Sequence, residues 1–279
     1  MSNSSFKYEI STDLPPANLD TQVLFDNDYC EPPGMSALTL FFQKTQPLNS
    51  LAKPEMPEPL PNLLVLGYVS AVESYLREII RKLVIIDSPS QKKCEDKSIT
   101  YGAATTYEKP MLPDALLENC SFAGKENIKT SLANFLGIAL QKSAYPDLDN
   151  MLENFSKVCQ IRHCLVHRFG HFGSINAIDF GLRQHEEFLG KPIRLNFQTL
   201  QVVFTICNNT VMMLNNFLFR EILSRTVKEN CCNWTWDFET DMETFNKYFE
   251  VFSSDEARAS IKDAYEAFKK AYEGTKWSH

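Results

Sequence analysis

PDLDNMLENFSKVCQIRHCLVHRFG, residues 146–170, sets the fold class. Leu148, Met151, Leu152, Phe155, Val158, Cys159 and Val166 recur every three or four positions, the spacing of one helical face. Pro146 and Asp147 supply a helix start, and Gly170 a stop. With Cys159 at zero and about 100° per residue, the apolar stripe runs from roughly −100° to +20°. Arg162 falls inside it at about −60°, while His163 and His167 lie on its flank at about +40° and +80°. A guanidinium on an apolar face is costly unless it is paired or lines a cavity. Between residues 157 and 171 stand Lys157, Arg162, Arg168 and three histidines, with no carboxylate.

Working outward, Val65, Val69, Val72, Leu76, Ile79 and Leu83 predict a long amphipathic helix over residues 62–87. Residues 88–103 read as a polar loop, followed by shorter helices at 112–120 and 125–141. Gly173, Gly181 and Gly190 punctuate the stretch after Gly170, and Ile193, Leu195 and Phe197 alternate with polar residues. That pattern predicts a small β-rich insertion at 172–197. Residues 197–227 are apolar around most of a helical circumference and predict a central helix. The acidic, aromatic-rich tail, 228–279, carries Trp234, Trp236 and Phe238 and predicts a final helix near 255–273. Those aromatics could stack bases, although core packing is the commoner use.

Nine of the 14 prolines precede residue 62. The run PLNSLAKPEMPEPLP (47–61) is therefore expected not to form a regular helix. Residues 6–10 and 35–43 are short enough for strands or single helical turns. The expected organisation is thus a proline-rich, largely extended arm (1–61), a mainly α-helical bundle (62–227) and a helical tail.

Over 279 residues the formal charge is −7, with 44% hydrophobic residues, the composition of a globular chain. The acidic balance, with a pI near 5.4, opposes broad charge-driven nucleic-acid binding but leaves room for a local basic site. No uninterrupted apolar run reaches about 18–20 residues, so no membrane span is expected, and the first twenty residues lack a signal-peptide pattern. A cytoplasmic setting follows as the expectation. The eight cysteines include no CxxC pair and are expected to be free thiols. There is no glycine-rich phosphate loop, GxSxG elbow or dinucleotide fingerprint.

Arg162-His163-Cys164-Leu165-Val166-His167 resembles the Arg-x4–6-His signature of the HEPN superfamily, including its common polar residue directly after the arginine. The motif sits near a helix end, Gly170 follows, and a long apolar helix comes later. The earlier helix GYVSAVESYLREII (67–80), with Glu73 as a polar member, is similar to the leading helix of many HEPN proteins. The resemblance spans residues 62–227. It implies a homodimeric α-helical bundle with two motifs in one cleft, and a metal-independent endoribonuclease needing no cofactor. The implied chemistry is attack of the ribose 2′-OH on the adjacent phosphorus, giving 2′,3′-cyclic phosphate and 5′-OH ends.

In that scheme His167 is the general acid or base, and Arg162 donates two hydrogen bonds to phosphate oxygens. His163 orients the site or binds a phosphate. Lys157, Arg168, Glu73 and Arg77 are the expected substrate-binding residues. The implied setting is a toxin or antiphage effector, restrained by a regulatory or antitoxin partner. The alternative is a non-catalytic HEPN-like module that binds RNA or protein.

Plainer readings exist for the same residues. Arg162 could pair structurally with Glu73, and His167 could be a cation at a helix C-terminus. Glu73 could instead pair with Arg77, four residues on. Cys159, His163, His167 and His171 form an i, i+4 ladder that could hold zinc with His185, Cys120 or Cys207. Arg77, Arg81, Lys82, Lys92 and Lys93 form a basic edge whose commoner role is a solvated helix face.

Overall fold

The computed structural model describes residues 8, 10–12, 14–30, 34–254 and 260–274. The element expected at 6–10 lies mostly outside these residues. The chain divides into two units, residues 1–33 and 34–279. In the first, residues 14–30 are exposed throughout, with one 3-10 turn, Gln22–Leu24, and a second turn in which the Tyr29 amide donates to the Asp26 carbonyl at 3.3 Å. The Gln22 amide donates to the Asp20 carboxylate at 3.0 Å, and the Asp28 amide to Asp26 at 3.0 Å.

The second unit is helical, and no strand occurs among the described residues. Its centre is α2 (Pro59–Ile86), preceded by α1 (Ala37–Leu51). Residues 37–51 and 59–61 thus depart from the extended arm, while 52–58, in the middle of the proline run, form no helix. Pro47 is held inside α1, one turn from its end, where the helix loses a single donor. Ser36 caps α1 by accepting from the Thr39 amide at 3.0 Å, and Ala37, Leu38 and Phe41 bury its inner face. Pro59 and Pro61 open α2, where a missing amide proton costs nothing.

Short helices α3 (Ser88–Cys94) and α4 (Tyr101–Thr106) replace the polar loop. Asp87 and Thr100 start them by accepting from the Ser90 and Ala103 amides, bonds worth about 1 kcal/mol each that hydrophobic spacing does not reveal. Next come α5 (Leu112–Leu117) and α6 (Lys125–Ser131), the latter running into a π turn, Leu132–Leu136, that stops at left-handed Gly137.

α7 (Pro146–Arg168) follows the 3.6-residue pattern through Cys159, with Leu148, Leu152, Phe155 and Val158 buried. Val166, expected on the same stripe, is 47% exposed, because Cys164 and Leu165 turn inward at the helix end instead. The stretch expected to be β-rich is instead α8 (Ser174–Phe180), α9 (Leu182–His185) and a 3-10 turn, Glu186–Phe188. One isolated antiparallel bridge, His171 to Pro192, is its only sheet-like feature among the described residues. Gly173 and Gly181 act as helix boundaries rather than hairpin turns, and the residues alternating before 197 find no partner strand.

α10 (Phe197–Lys228) begins at a capping box in which Asn196 and Thr199 exchange side-chain-to-amide bonds of 2.9 Å. It is long and apolar enough, by length and composition, to cross a membrane. Here Leu200, Val203, Val211, Leu214 and Leu218 lie in the core shared with α2 and α7. α11 (Phe238–Phe252) and α12 (Ile261–Tyr272) complete the unit. Trp234 and Trp236 pack on Phe268 with ring centroids 5.0 and 5.5 Å apart, so the tail aromatics belong to the core.

α7 runs antiparallel to α2 and α10. The Tyr145 ring meets Phe217 at 4.7 Å, and at the other end Gly170 lies beside Asn62. The start of α2, the end of α7 and the start of α10 therefore share one end of the bundle. Two polar ties lock the helices. The Tyr75 hydroxyl donates to Asn215 Oδ1 at 3.2 Å, and Asn215 Nδ2 to the Phe252 carbonyl at 3.0 Å. Arg225 donates to Asp87, to the Leu136 carbonyl and to Ser90 Oγ, joining α10 to the α2–α3 junction and the π turn.

All eight cysteines are free. Burial pushes the Cys159 thiol up to about 12, with Glu73 adding to the effect. Burial also raises Cys207, helped by Cys159.

Candidate active site at the end of α7

The last turns of α7 carry the motif. Cys164 and Leu165 turn inward and are buried, which leaves Arg162 and His163 half-buried and His167 and Arg168 exposed. The two imidazoles are one turn apart on the same flank, ring centroids 4.6 Å from each other and tilted by 47°. Among the described residues Arg162 has no hydrogen-bond or ion-pair partner. Glu73 and Arg162 both act on the Cys159 thiol, Glu73 raising its pKa and Arg162 lowering it. The Arg162–Glu73 ion pair is nevertheless not formed. Glu73 accepts from the Phe122 amide at 3.4 Å instead.

α8 folds back on this flank. Asn176, 1% exposed, directs its Nδ2 to the Gln160 carbonyl (3.2 Å), to Gln160 Oε1 (2.8 Å) and to His163 Nδ1 (3.3 Å). Its Oδ1 is buried without a partner. Gly173 lets the Arg168 side chain cross the α7–α8 turn, because a Cβ there would lie 2.9 Å from Arg168 Nη1. The helix ends in left-handed geometry at Phe169 (φ 49°) and Gly170 (φ 86°). Phe169 is 94% exposed, a bulky side chain held in a conformation that costs a non-glycine residue about 1–2 kcal/mol.

The remaining predicted residues divide. Lys157, exposed, donates to Asn154 Oδ1 at 3.4 Å and lines a surface cavity of about 370 Å³ together with Cys159, Gln160, Asp179 and Phe180. Neither Arg162 nor His167 lines that cavity. Arg77 is not brought to the motif. Its guanidinium donates to the Leu117 and Cys120 carbonyls and lies over the Phe122 ring at 5.3 Å, fastening that segment to α2. The expected Glu73–Arg77 pair is therefore replaced by these bonds. On the basic edge, Arg81 and Lys82 bridge Glu78 at 2.6 and 3.0 Å.

No group of three or more His, Cys, Asp or Glu among the described residues could hold a metal ion. Of the i, i+4 ladder only His163 and His167 meet. Cys159 is buried toward α2 and α10, and His171 lies past the helix end with Nδ1 3.2 Å from the Arg168 carbonyl. Nothing in the spacing of an amide announces that Asn176 meets an imidazole 13 residues away, or that Gln160 accepts from Asn176. Compared with protein-family models, curated proteins and solved structures, the chain matches none.

Proposed function

We propose that the chain is a HEPN-like, metal-independent endoribonuclease that cleaves by 2′-OH attack. One observation carries the reading: Arg162 is half-buried and has no hydrogen-bond or ion-pair partner among the described residues, on the helix turn that also carries two imidazoles in contact. A guanidinium held without a carboxylate is free to place two donors on a phosphate, and to stabilise charge that develops there in the transition state. His167, exposed and one turn beyond His163, takes or returns the proton. Lys157 and Arg168 flank the motif and track the phosphate backbone.

Each chain carries one such motif, and the proposed working form is a homodimer that pairs two. The exposed Val166 and Phe169 on the motif's own helix end supply apolar surface for that contact. The setting proposed is a cytoplasmic toxin or antiphage effector held in check by a partner protein.

The second reading, a non-catalytic HEPN-like module, is favoured by one feature. The cavity beside the motif excludes Arg162 and His167, while Ile175 and Ile178 of α8 are exposed. Incubating the protein with tRNA and total RNA in EDTA separates the two. The nuclease reading expects cleavage that survives chelation, leaves 2′,3′-cyclic phosphate ends and falls about 10²–10⁴-fold in His167→Ala with the fold intact. No cleavage, together with tight RNA or protein binding, overturns it in favour of the module.

A further inference from the structure

We infer that Asn176 is a positioning residue that fixes His163 as the Nε2–H tautomer, making Nε2 a hydrogen-bond donor rather than a base. The Gln160 main-chain carbonyl can only accept, so the Asn176 atom 3.2 Å from it is the amide nitrogen. One Nδ2 proton is shared between that carbonyl and Gln160 Oε1, and the other is directed at His163 Nδ1, 3.3 Å away. A nitrogen that faces a donor must present its lone pair. The single proton of the neutral ring therefore sits on Nε2.

Flipping the amide would set Oδ1 against the Gln160 carbonyl and strip Nδ2 of its acceptors. The unpartnered, buried Oδ1 reflects that constraint. The other two histidines with a hydrogen-bonded Nδ1 are arranged oppositely. His171 Nδ1 faces the Arg168 carbonyl at 3.2 Å, and His185 Nδ1 the Gly181 carbonyl at 3.0 Å. Both rings must carry their proton on Nδ1, so the chain holds an internal contrast.

The functional consequence rests on the ribonuclease reading. It divides the work between the two touching rings: His163 Nε2–H joins Arg162 as a donor to phosphate oxygen, and His167 alone exchanges the proton. The tautomer itself does not depend on that reading.

Long-range nitrogen–proton NMR of the full-length 15N-labelled chain tests it at pH ~8.5, about two units above the ordinary imidazole value. His163 is expected to show a pyridine-type Nδ1 and a pyrrole-type Nε2, with His171 and His185 showing the reverse. In Asn176→Asp the side chain can only accept, and the His163 pattern inverts while that of His167 stays put. The same variant is expected to lose about tenfold in RNA cleavage, the loss of roughly one oriented hydrogen bond. A protonated Nδ1 on wild-type His163 overturns the inference, whether or not Asn176→Asp folds. So does a variant whose His163 pattern is unchanged. If the tautomer is as stated but wild-type protein cuts no RNA, the nuclease reading falls and the assignment stands. Cleavage by a protein with the opposite tautomer keeps the nuclease and removes the assignment.

Discussion

Replacing two arginines by methionine separates a guanidinium kept for chemistry from one kept for the fold. Arg225 donates to Asp87, Ser90 Oγ and the Leu136 carbonyl, and Asp87 is 0% exposed. Arg225→Met keeps most of the apolar stem but leaves a buried carboxylate without its counter-charge, which costs about 3–5 kcal/mol. Arg162→Met removes no hydrogen bond or ion pair among the described residues, so its expected cost is within about 0.5 kcal/mol, of either sign. Urea titration followed by circular dichroism reads both. With m near 2.5 kcal/mol/M, Arg225→Met should lower the midpoint by roughly 1.2–2 M, and Arg162→Met should barely move it. RNA cleavage should rank them oppositely. Arg162→Met should lose about 10²–10³-fold, the usual effect of removing a transition-state donor, while Arg225→Met should retain activity wherever it is folded. If Arg162→Met lowers the midpoint as much as Arg225→Met, the guanidinium has a structural partner and the case for its availability collapses.

Three further outcomes follow from the same contacts. Asp241 accepts from the Thr235 and Trp236 amides, from Thr235 Oγ and from the Tyr265 hydroxyl at 2.7 Å. Burial opposes its ionisation, but these bonds outweigh it and hold the carboxyl below the usual carboxylate range. Its stabilisation is therefore complete above the unfolded value of about 3.9 and is lost as pH falls through the lower folded value. Asp241→Asn, which turns a donor toward donors, should cost about 3 kcal/mol at neutral pH; chemical denaturation should show the gap to wild type narrowing below pH ~4. Phe169→Gly should raise the thermal midpoint of the monomer by relieving left-handed strain, a net gain of about 0.5–1 kcal/mol after the added chain entropy. Analytical ultracentrifugation of that variant should show weakened self-association; undiminished association would remove Phe169 from the dimer face. Arg162→Lys should not restore cleavage lost in Arg162→Met, because an ammonium lacks the planar two-donor fork, and a kinetic assay finding full activity in the lysine variant would refute that role.

The long helices were legible because each buries one face over many turns, so that Leu148, Leu152 and Phe155 in α7, or Leu200, Val203 and Val211 in α10, repeat often enough to be read. Pro47 misled because its cost is one lost donor near a helix end, while the burial of Phe41 and Leu38 that outweighs it is a tertiary effect. The glycines after Gly170 misled for a related reason. A residue with φ of 98°, as at Gly181, fits a helix boundary as readily as a hairpin turn. At the candidate site the helical projection put Arg162 inside the apolar stripe and the histidines on its flank; the two rings do meet, but Arg162 is only half-buried and Val166 of the same stripe is exposed. It could not have found Asn176, which reaches His163 only because α8 folds back where strands were expected.

The distribution of thiols has a practical use. Cys159, Cys164 and Cys207 are buried, and desolvation keeps their sulfurs protonated, so alkylating reagents should pass them by in the native state. Cys30 and Cys231 are the exposed ones. They are the candidate attachment points for a dye pair, one in the N-terminal unit and one just past the end of α10, once the half-buried Cys94, Cys120 and Cys232 are replaced. Burial raises the Cys231 thiol as well, so Cys30 should label first.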